Sequence, residues 1–170
     1  APDKYLVVDP VMVAKGGHQL LDMSALGALK SEMLIKADLL TPNLPEAELL
    51  TGLEINNVDA MRRAANCLLE LGTKAVLLKG GHLKNEILTD VLMTKTYEKI
   101  FTGPRINTRH THGTGCTIAS AIAVGIAQGY DLESAVRRGR DFVFTAIQMA
   151  PGFGKGHGPL NHAHTVAQFQ

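Results

Sequence analysis

An amphipathic helix that leads into a buried strand occupies the stretch 57-NVDAMRRAANCLLELGTKAVLLKGG-81 and decides the fold class. Apolar residues recur at helical spacing from Asn57 to Leu71, and Gly72 closes the pattern, as glycine often does at helix C-termini. The apolar run from Ala75 to Leu78 is typical of a strand buried on both faces of a parallel sheet. A helix followed by such a strand indicates an α/β fold.

The same alternation of strands and helices extends on both sides of this stretch. Strands are predicted at Tyr5 to Val8 and Asp38 to Leu40, and a hairpin or edge pair at 87–93 and 96–101. Helices are predicted at Leu20 to Ile35 (capped by Asp22 or Ser24), at Leu44 to Leu50, from the Gly113 loop to about Ala127, and at Asp131 to Met149. We therefore expect an α/β fold with a mainly parallel sheet flanked by helices, in a single domain.

Composition argues against several classes of function. The 170 residues are 45% apolar and 19% charged, as in an ordinary globular domain. The formal charge of +1 is scattered and aromatic residues make up 5%, which argues against a nucleic-acid partner. No apolar run reaches the roughly 20 residues of a membrane span. Cys67 is predicted to be a core residue, whereas Cys116 belongs to a glycine-rich motif at a helix start. These different contexts argue against a disulfide and favour a reducing, cytoplasmic setting.

Polar residues follow three of the predicted strands, at the point where each strand ends. They are Asp9 after the first strand, Thr41, Asn43 and Glu46 after the second, and Lys79 with Gly80 and Gly81 at the end of the third. In open parallel sheets, ligands gather outside the carboxyl ends of the strands. We therefore expect these groups to contribute to one shared site, together with a glycine loop at a later helix start.

That glycine loop is 111-THGTGCT-117, and it precedes a strongly apolar helix. Gly113 and Gly115 allow the backbone to approach a ligand closely. The N–H groups of the first turn, beginning at Thr114, have no partners within the helix, and the helix dipole adds positive character there. The loop is therefore a candidate anion hole for a phosphate during phosphoryl transfer. The alternative is a tight turn that only caps the helix.

Cys116 lies in the first turn of the same helix. The helix dipole favours a thiolate at this position, so we expect the pKa of the Cys116 thiol to be lowered. A thiolate could accept the proton of an attacking alcohol as a general base. The alternative is a small buried residue without a chemical role.

The strand-end residues suggest a magnesium and phosphate site. Asp9 and Glu46 carry the hard oxygen ligands that Mg²⁺ prefers. Asn43 and Glu46 are three residues apart on one helix face, but Asn43 could be only an N-cap and Glu46 a solvated first-turn acid. Lys79 could reach a phosphate as a point charge, or could be a strand-end lysine exposed to solvent.

Other recognisable motifs are absent or weak. Neither G-x-x-x-x-G-K-[ST] nor a G-x-G-x-x-G after the first strand occurs, which disfavours a P-loop enzyme and a standard dinucleotide-binding enzyme. Lys15-Gly16-Gly17 is predicted to be a loop. His157, His162 and His164 crowd the tail without a metal-binding spacing, so loop packing is favoured over zinc.

Four motifs in fixed order resemble one family: 7-VVDPVMV-13, 41-TPNLPEA-47, 78-LKGGH-82 and 111-THGTGCT-117. The tail 156-GHGPLNH-162 is similar to the ending of the same family. Over nearly its whole length the chain resembles the hydroxymethylpyrimidine/phosphomethylpyrimidine kinases of thiamine biosynthesis, in the ribokinase-like superfamily. Relative to that family, we expect it to be the C-terminal two-thirds of the domain, without the earlier strands and part of the substrate pocket.

The resemblance implies ATP- and Mg²⁺-dependent phosphorylation of 4-amino-5-hydroxymethyl-2-methylpyrimidine and then of its monophosphate. It also suggests a homodimer. The implied roles are Cys116 as the base, Gly113, Thr114 and Gly115 with Cys116 as the anion hole, Asp9 and Glu46 at Mg²⁺, and Lys79, Asn43, Thr41 and Gly81 at ATP.

Two further hypotheses stay open on the sequence. One is a pyridoxal-type kinase, because related enzymes with a cysteine in this loop accept vitamin B6 alcohols. The other is a non-catalytic ligand-sensing or assembly module that has kept the fold.

Overall fold

The computed structural model describes residues 4–12, 20–83 and 86–166. The predicted loop Lys15-Gly16-Gly17 lies outside these residues. The chain forms two compact units, residues 1–105 and 106–170. Across the described residues, no helix combines the length and the apolar character needed to cross a membrane.

The first unit is built on a five-stranded sheet in the order β1-β2-β3-β4-β5. Its strands are β1 (Val7–Val8), β2 (Leu39–Leu40), β3 (Ala75–Lys79), β4 (Ile87–Thr94) and β5 (Glu98–Pro104). The first three strands are parallel, with Val8 opposite Leu40 and Leu40 opposite Val76. β4 pairs antiparallel with β3 and with β5, so the sheet is mixed. The predicted α/β class is confirmed, and so is the predicted hairpin.

Three helices accompany this sheet: α1 (Met23–Ala28), α2 (Leu44–Thr51) and α3 (Val58–Glu70). α1 begins after Asp22, whose side chain accepts from the Ser24 N–H, so Asp22 is the cap. The single helix predicted to Ile35 is wrong, because a π-helical turn (29–33) and a 3₁₀ turn (34–36) follow α1. The last turn seats the fully buried Leu34 in the core and leaves Ile35 about half exposed.

The core of the first unit lies against the amphipathic helix α3, which packs on β3 and β4. The buried residues of α3 are Ala60, Met61, Ala64, Ala65, Leu68 and Leu69. They belong to one apolar cluster with Leu40, Val76 and Leu78 of the sheet. The prediction that Cys67 is a core residue is wrong: its side chain is half-buried at the flank of the buried stripe. Because the apolar face of α3 covers β3 and β4, polar side chains emerge from the sheet at the ends of the strands.

The second unit contains two helices that pack against each other, α4 (Thr114–Ala127) and α5 (Leu132–Gln148), followed by a 3₁₀ turn (His162–Thr165). The boundaries predicted for both helices agree with the structure to within one or two residues. The helices pack closely because glycines face the partner helix: a Cβ on Gly139 would lie 2.9 Å from Ile122, and one on Gly125 3.1 Å from Ala135. Gly129 ends α4 with a φ of 88°.

Candidate functional site

Asp9 and Lys79 form an ion pair at the carboxyl ends of β1 and β3. Lys79 Nζ donates to Asp9 Oδ1 at 2.9 Å, and the two side chains are only 13% and 14% exposed. The hydroxyl of Thr41, which follows the intervening strand β2, donates to the same oxygen at 3.1 Å. Three neighbouring strand ends therefore bring their predicted site residues together. The alternative that Lys79 is a solvent-exposed lysine is wrong.

Asn43 and Glu46 form a capping box at the start of α2. Asn43 Oδ1 accepts from the Glu46 N–H at 2.9 Å, and Glu46 Oε2 accepts from the Asn43 N–H at 2.8 Å. Asn43 is therefore an N-cap, as one alternative held. The other alternative, a solvated acid, is wrong because Glu46 is only 3% exposed.

Burial also sets the charge state of Glu46. It raises the pKa of the carboxyl, because desolvation disfavours the charged form. The hydrogen bond from Asn43 and the positive charge of Lys79 oppose this rise, whereas the negative charge of Asp9 adds to it. The charges of Asp9 and Lys79 therefore influence the pKa of Glu46, while Oε2 of Glu46 accepts a hydrogen bond in the capping box.

The carboxylates of Asp9 and Glu46 fit a magnesium ion that is also bound by a phosphate better than an ion held by protein alone. Mg²⁺ is usually bound through one or two carboxylates, with water and substrate phosphates completing its shell. Asp9 and Glu46 supply two carboxylates, and Asp9 Oδ1 already accepts from Lys79 and Thr41. Among the residues described, no group of three or more His, Cys, Asp or Glu side chains could hold a metal.

The segment after β3 is anchored by two residues that the sequence analysis missed. Asp90 in β4 accepts from the Gly80 N–H at 2.9 Å. Arg105 donates to the carbonyl oxygens of Gly81 at 2.9 Å and Leu83 at 2.7 Å. One signal was available for Asp90, because it is a lone acid within an otherwise apolar and hydroxyl-bearing strand. These hydrogen bonds therefore hold the segment that carries Lys79 and Gly81 against the β4–β5 hairpin.

The glycine loop of the second unit turns sharply into α4. Gly113 is the N-cap residue, with a φ of 85° and no side-chain cap. A residue with a Cβ is strained in this left-handed conformation. Thr114 begins the helix, and its hydroxyl donates to the Thr111 carbonyl at 2.8 Å. Gly115 and Cys116 follow in the first turn, and Cys116 is exposed, so the alternative of a small buried cysteine is wrong.

The tail of the chain packs against this loop. The His112 N–H donates to the Gly158 carbonyl at 3.2 Å, and His112 and Pro159 form a parallel bridge. His162 Nε2 lies 2.9 Å from the Thr117 hydroxyl. A Cβ built on Gly158 would overlap the ring of His110, so this contact requires glycine. His162 of the tail thus contacts the glycine loop, a link that the sequence pattern did not reveal.

Comparison with known proteins gives one consistent family. The model of the phosphomethylpyrimidine kinase family matches residues 2–161. The chain is 49% identical over 159 residues to the thiamine biosynthesis bifunctional protein ThiED of Geobacter sulfurreducens, covering 94% of this chain and 32% of that protein. It is 45% identical over 165 residues to the hydroxymethylpyrimidine/phosphomethylpyrimidine kinase of Haemophilus influenzae, covering 95% and 61%. The chain therefore spans about a third to three-fifths of the length of these curated relatives.

Solved structures agree with this assignment. The pyridoxal kinase of Staphylococcus aureus in complex with AMP-PCP has a TM-score of 0.88 at 31% identity, covering 98% of this chain and 60% of that one. The phosphomethylpyrimidine kinase of Clostridium difficile 630 has a TM-score of 0.73 at 42% identity, covering 85% and 58%. The chain belongs to the phosphomethylpyrimidine kinase family and has its ribokinase-like fold.

Proposed function

We propose that residues 1–170 are the phosphate-handling part of one ribokinase-like kinase domain. The protein transfers phosphate from ATP to the hydroxymethyl group of 4-amino-5-hydroxymethyl-2-methylpyrimidine, and then to the resulting monophosphate. The observation that carries this proposal is the glycine loop at 111–117, with its left-handed Gly113 at the start of α4, in a chain that matches the phosphomethylpyrimidine kinase family over residues 2–161. The related H. influenzae kinase is named for both activities.

We assign the ATP phosphates to the strand-end cluster of the first unit. The Lys79 ammonium offers a positive charge. The Thr41 hydroxyl donates to the same Asp9 oxygen as Lys79, Asn43 forms a β-bridge with Lys79, and Gly81 follows two residues later. Asp9, together with Glu46, would hold Mg²⁺. When bound, Mg²⁺ neutralises phosphate charge. The AMP-PCP complex of the S. aureus pyridoxal kinase supports the choice of ATP.

The glycine loop supplies the groups that act on the transferred phosphate. The backbone N–H groups of Gly113 at the N-cap and of Thr114 to Cys116 in the first turn stabilise the charge that spreads over the equatorial oxygens. The side chain of Cys116 is exposed, and in the proposed mechanism its sulfur accepts the proton of the substrate alcohol. The alcohol oxygen then bonds to the γ-phosphorus while the bond from that phosphorus to the ADP oxygen breaks.

A coupled assay for ADP tests this function. Purified protein is given ATP, Mg²⁺ and hydroxymethylpyrimidine, and ADP release is compared with and without the alcohol. Release that depends on the alcohol supports the proposal. ADP release that does not depend on the alcohol contradicts it. No ADP release at all contradicts it and favours the non-catalytic module.

A pyridoxal-type kinase is the second candidate, and the structural similarity to the S. aureus pyridoxal kinase favours it. The two alcohols are compared by kcat/KM in the same assay. A higher kcat/KM for pyridoxal than for hydroxymethylpyrimidine would make vitamin B6 the preferred substrate.

We also propose a cytoplasmic homodimer that acts on small molecules and has no nucleic-acid partner. Neither Cys67 nor Cys116 forms a disulfide, which suits a reducing compartment. Light scattering of the protein eluted from a size-exclusion column measures its molar mass. We expect the mass of two chains, and the mass of one chain would contradict the dimer.

A further inference from the structure

Asp90 is a buried acid in the middle of the sheet, and its place there requires an explanation. Its side chain is 4% exposed, and it lies opposite Lys79 in the antiparallel β3–β4 register. A buried carboxylate is costly unless it accepts hydrogen bonds. Asp90 Oδ1 accepts from the backbone N–H of Gly80, at 2.9 Å, in a fully buried contact.

The backbone at Gly80 has no room to shift towards β4. A Cβ built on Gly80 would overlap the carbonyl oxygen of Thr89, so the main chain at this point lies directly against the neighbouring strand. The Lys79 N–H donates in the other direction, to the Pro42 carbonyl at 2.9 Å. Two consecutive backbone amides are therefore fixed from opposite sides, and the Lys79 side chain projects from a point that cannot move freely.

We infer that Asp90 is a positioning residue for Lys79, acting through the Gly80 N–H. Asp90 holds the chain where the Lys79 ammonium meets Asp9 Oδ1, at 2.9 Å. The inference rests on the proposed function in one respect, namely that Lys79 serves the ATP phosphates. Arg105 fixes the following carbonyls of Gly81 and Leu83 and completes the anchor.

Two substitutions of Asp90 separate hydrogen bonding from other roles. Asp90→Asn keeps a side-chain oxygen that can accept from the Gly80 N–H, whereas Asp90→Ala leaves a buried donor without that acceptor. We expect KM for ATP to rise roughly tenfold in Asp90→Ala and by less than about threefold in Asp90→Asn. Leu92→Ala is the control for stability, because Leu92 is a fully buried residue of the same strand that the proposed site does not use.

A double-mutant cycle distinguishes positioning from general damage to the fold. If Asp90 acts through Lys79, Asp90→Ala has little further effect on KM in a Lys79→Ala background. If the double variant instead raises KM for ATP by the product of the two single-variant effects, the inference is overturned. So would a KM for ATP in Asp90→Ala equal to that of the wild type, or one that Leu92→Ala reproduces.

Hydrogen exchange of the Gly80 amide tests the anchor without reference to activity. We expect exchange at Gly80 to speed up about tenfold or more in Asp90→Ala relative to its β3 neighbours, and to stay near the wild-type rate in Asp90→Asn. An unchanged Gly80 rate in Asp90→Ala would overturn the inference. If the wild type binds no nucleotide but Gly80 responds as expected, the proposed function fails and the anchor by Asp90 stands.

Discussion

The hydroxyl of Thr117 lies 2.9 Å from Nε2 of His162, which joins the tail of the chain to the glycine loop. The same hydroxyl donates to the carbonyl of Gly113 at 2.7 Å. A threonine hydroxyl has one proton, so it must accept from His162, and the imidazole carries a proton on Nε2. The tail therefore supports Gly113, whose left-handed backbone begins the proposed anion hole.

Thr117→Val tests this support. The substitution keeps the shape of the side chain and removes both hydrogen bonds, so we expect the free energy of unfolding to fall by about 1–3 kcal/mol. Thr145→Val is the matched control, because the Thr145 hydroxyl makes only the equivalent bond to a carbonyl four residues back, at 3.0 Å, on an exposed face of α5. Its loss is expected to be within about 0.5 kcal/mol. Equal losses in urea denaturation would contradict the role of the tail.

Gly113→Ala tests the turn itself. The φ of 85° at Gly113 disfavours any residue with a Cβ, so we expect a loss of about 1–2 kcal/mol in stability together with a large fall in kcat. Gly129→Ala is the control, since Gly129 has a nearly equal φ of 88° in the turn between α4 and α5. The two variants are expected to lose similar stability in denaturation, and only Gly113→Ala to lose activity. Comparable kcat values in both would show that the loop geometry does not serve the reaction.

Glu46→Gln tests the consequence of burying an acid. Because burial raises its folded-state pKa above the ordinary value of 4.5, the stability that Glu46 contributes is fully present below that value and is lost as pH rises through the raised pKa. The neutral glutamine does not titrate. The free energy of unfolding of the wild type is therefore expected to fall relative to Glu46→Gln as pH increases from about 4 to 7.

Urea denaturation at several pH values measures this difference. Glu48→Gln is the control on the same helix. It reports the effect on the free energy of unfolding of removing a half-buried carboxylate that accepts from the Ile55 N–H at 2.8 Å. If the free energy of unfolding of the wild type rises relative to that of Glu46→Gln as pH increases, the direction of the pKa shift is refuted.

Cys116→Ala tests the proposed base. We expect kcat to fall about 10²–10⁴-fold while the dissociation constant for ATP changes little, because the thiol acts on the alcohol and not on the nucleotide. Cys67→Ala, which removes the second cysteine of the chain, is expected to leave kcat unchanged. Steady-state kinetics with calorimetric ATP binding measure both quantities. An unchanged kcat in Cys116→Ala removes this residue as the base.

Local patterns in the sequence predicted the strand-end cluster well, for a physical reason. Parallel strands place their carboxyl ends at one edge, so Asp9, Thr41 and Lys79 converge once the strands are recognised. The Asn43–Glu46 capping box is likewise a local pattern with fixed spacing.

The contacts that the sequence analysis missed depend on tertiary packing. The bonds from Arg105 to Gly81 and from His162 to Thr117 join residues 24 and 45 positions apart, and no periodicity encodes them. The break of the first predicted helix into π and 3₁₀ turns is set in the same way, by the seating of Leu34 in the core. Local spacing thus predicts which groups reach the site, and packing decides what holds them there.

Phosphoryl transfer is observed most directly by following the γ-phosphate of ATP by ³¹P NMR in the presence of the wild-type protein, Mg²⁺ and hydroxymethylpyrimidine. We expect a new phosphomonoester signal from the pyrimidine monophosphate, followed by the signals of its diphosphate, and neither signal with Cys116→Ala on the same time scale. Retention of the γ-phosphate on ATP, or its release only as inorganic phosphate, would show that the protein does not phosphorylate the pyrimidine.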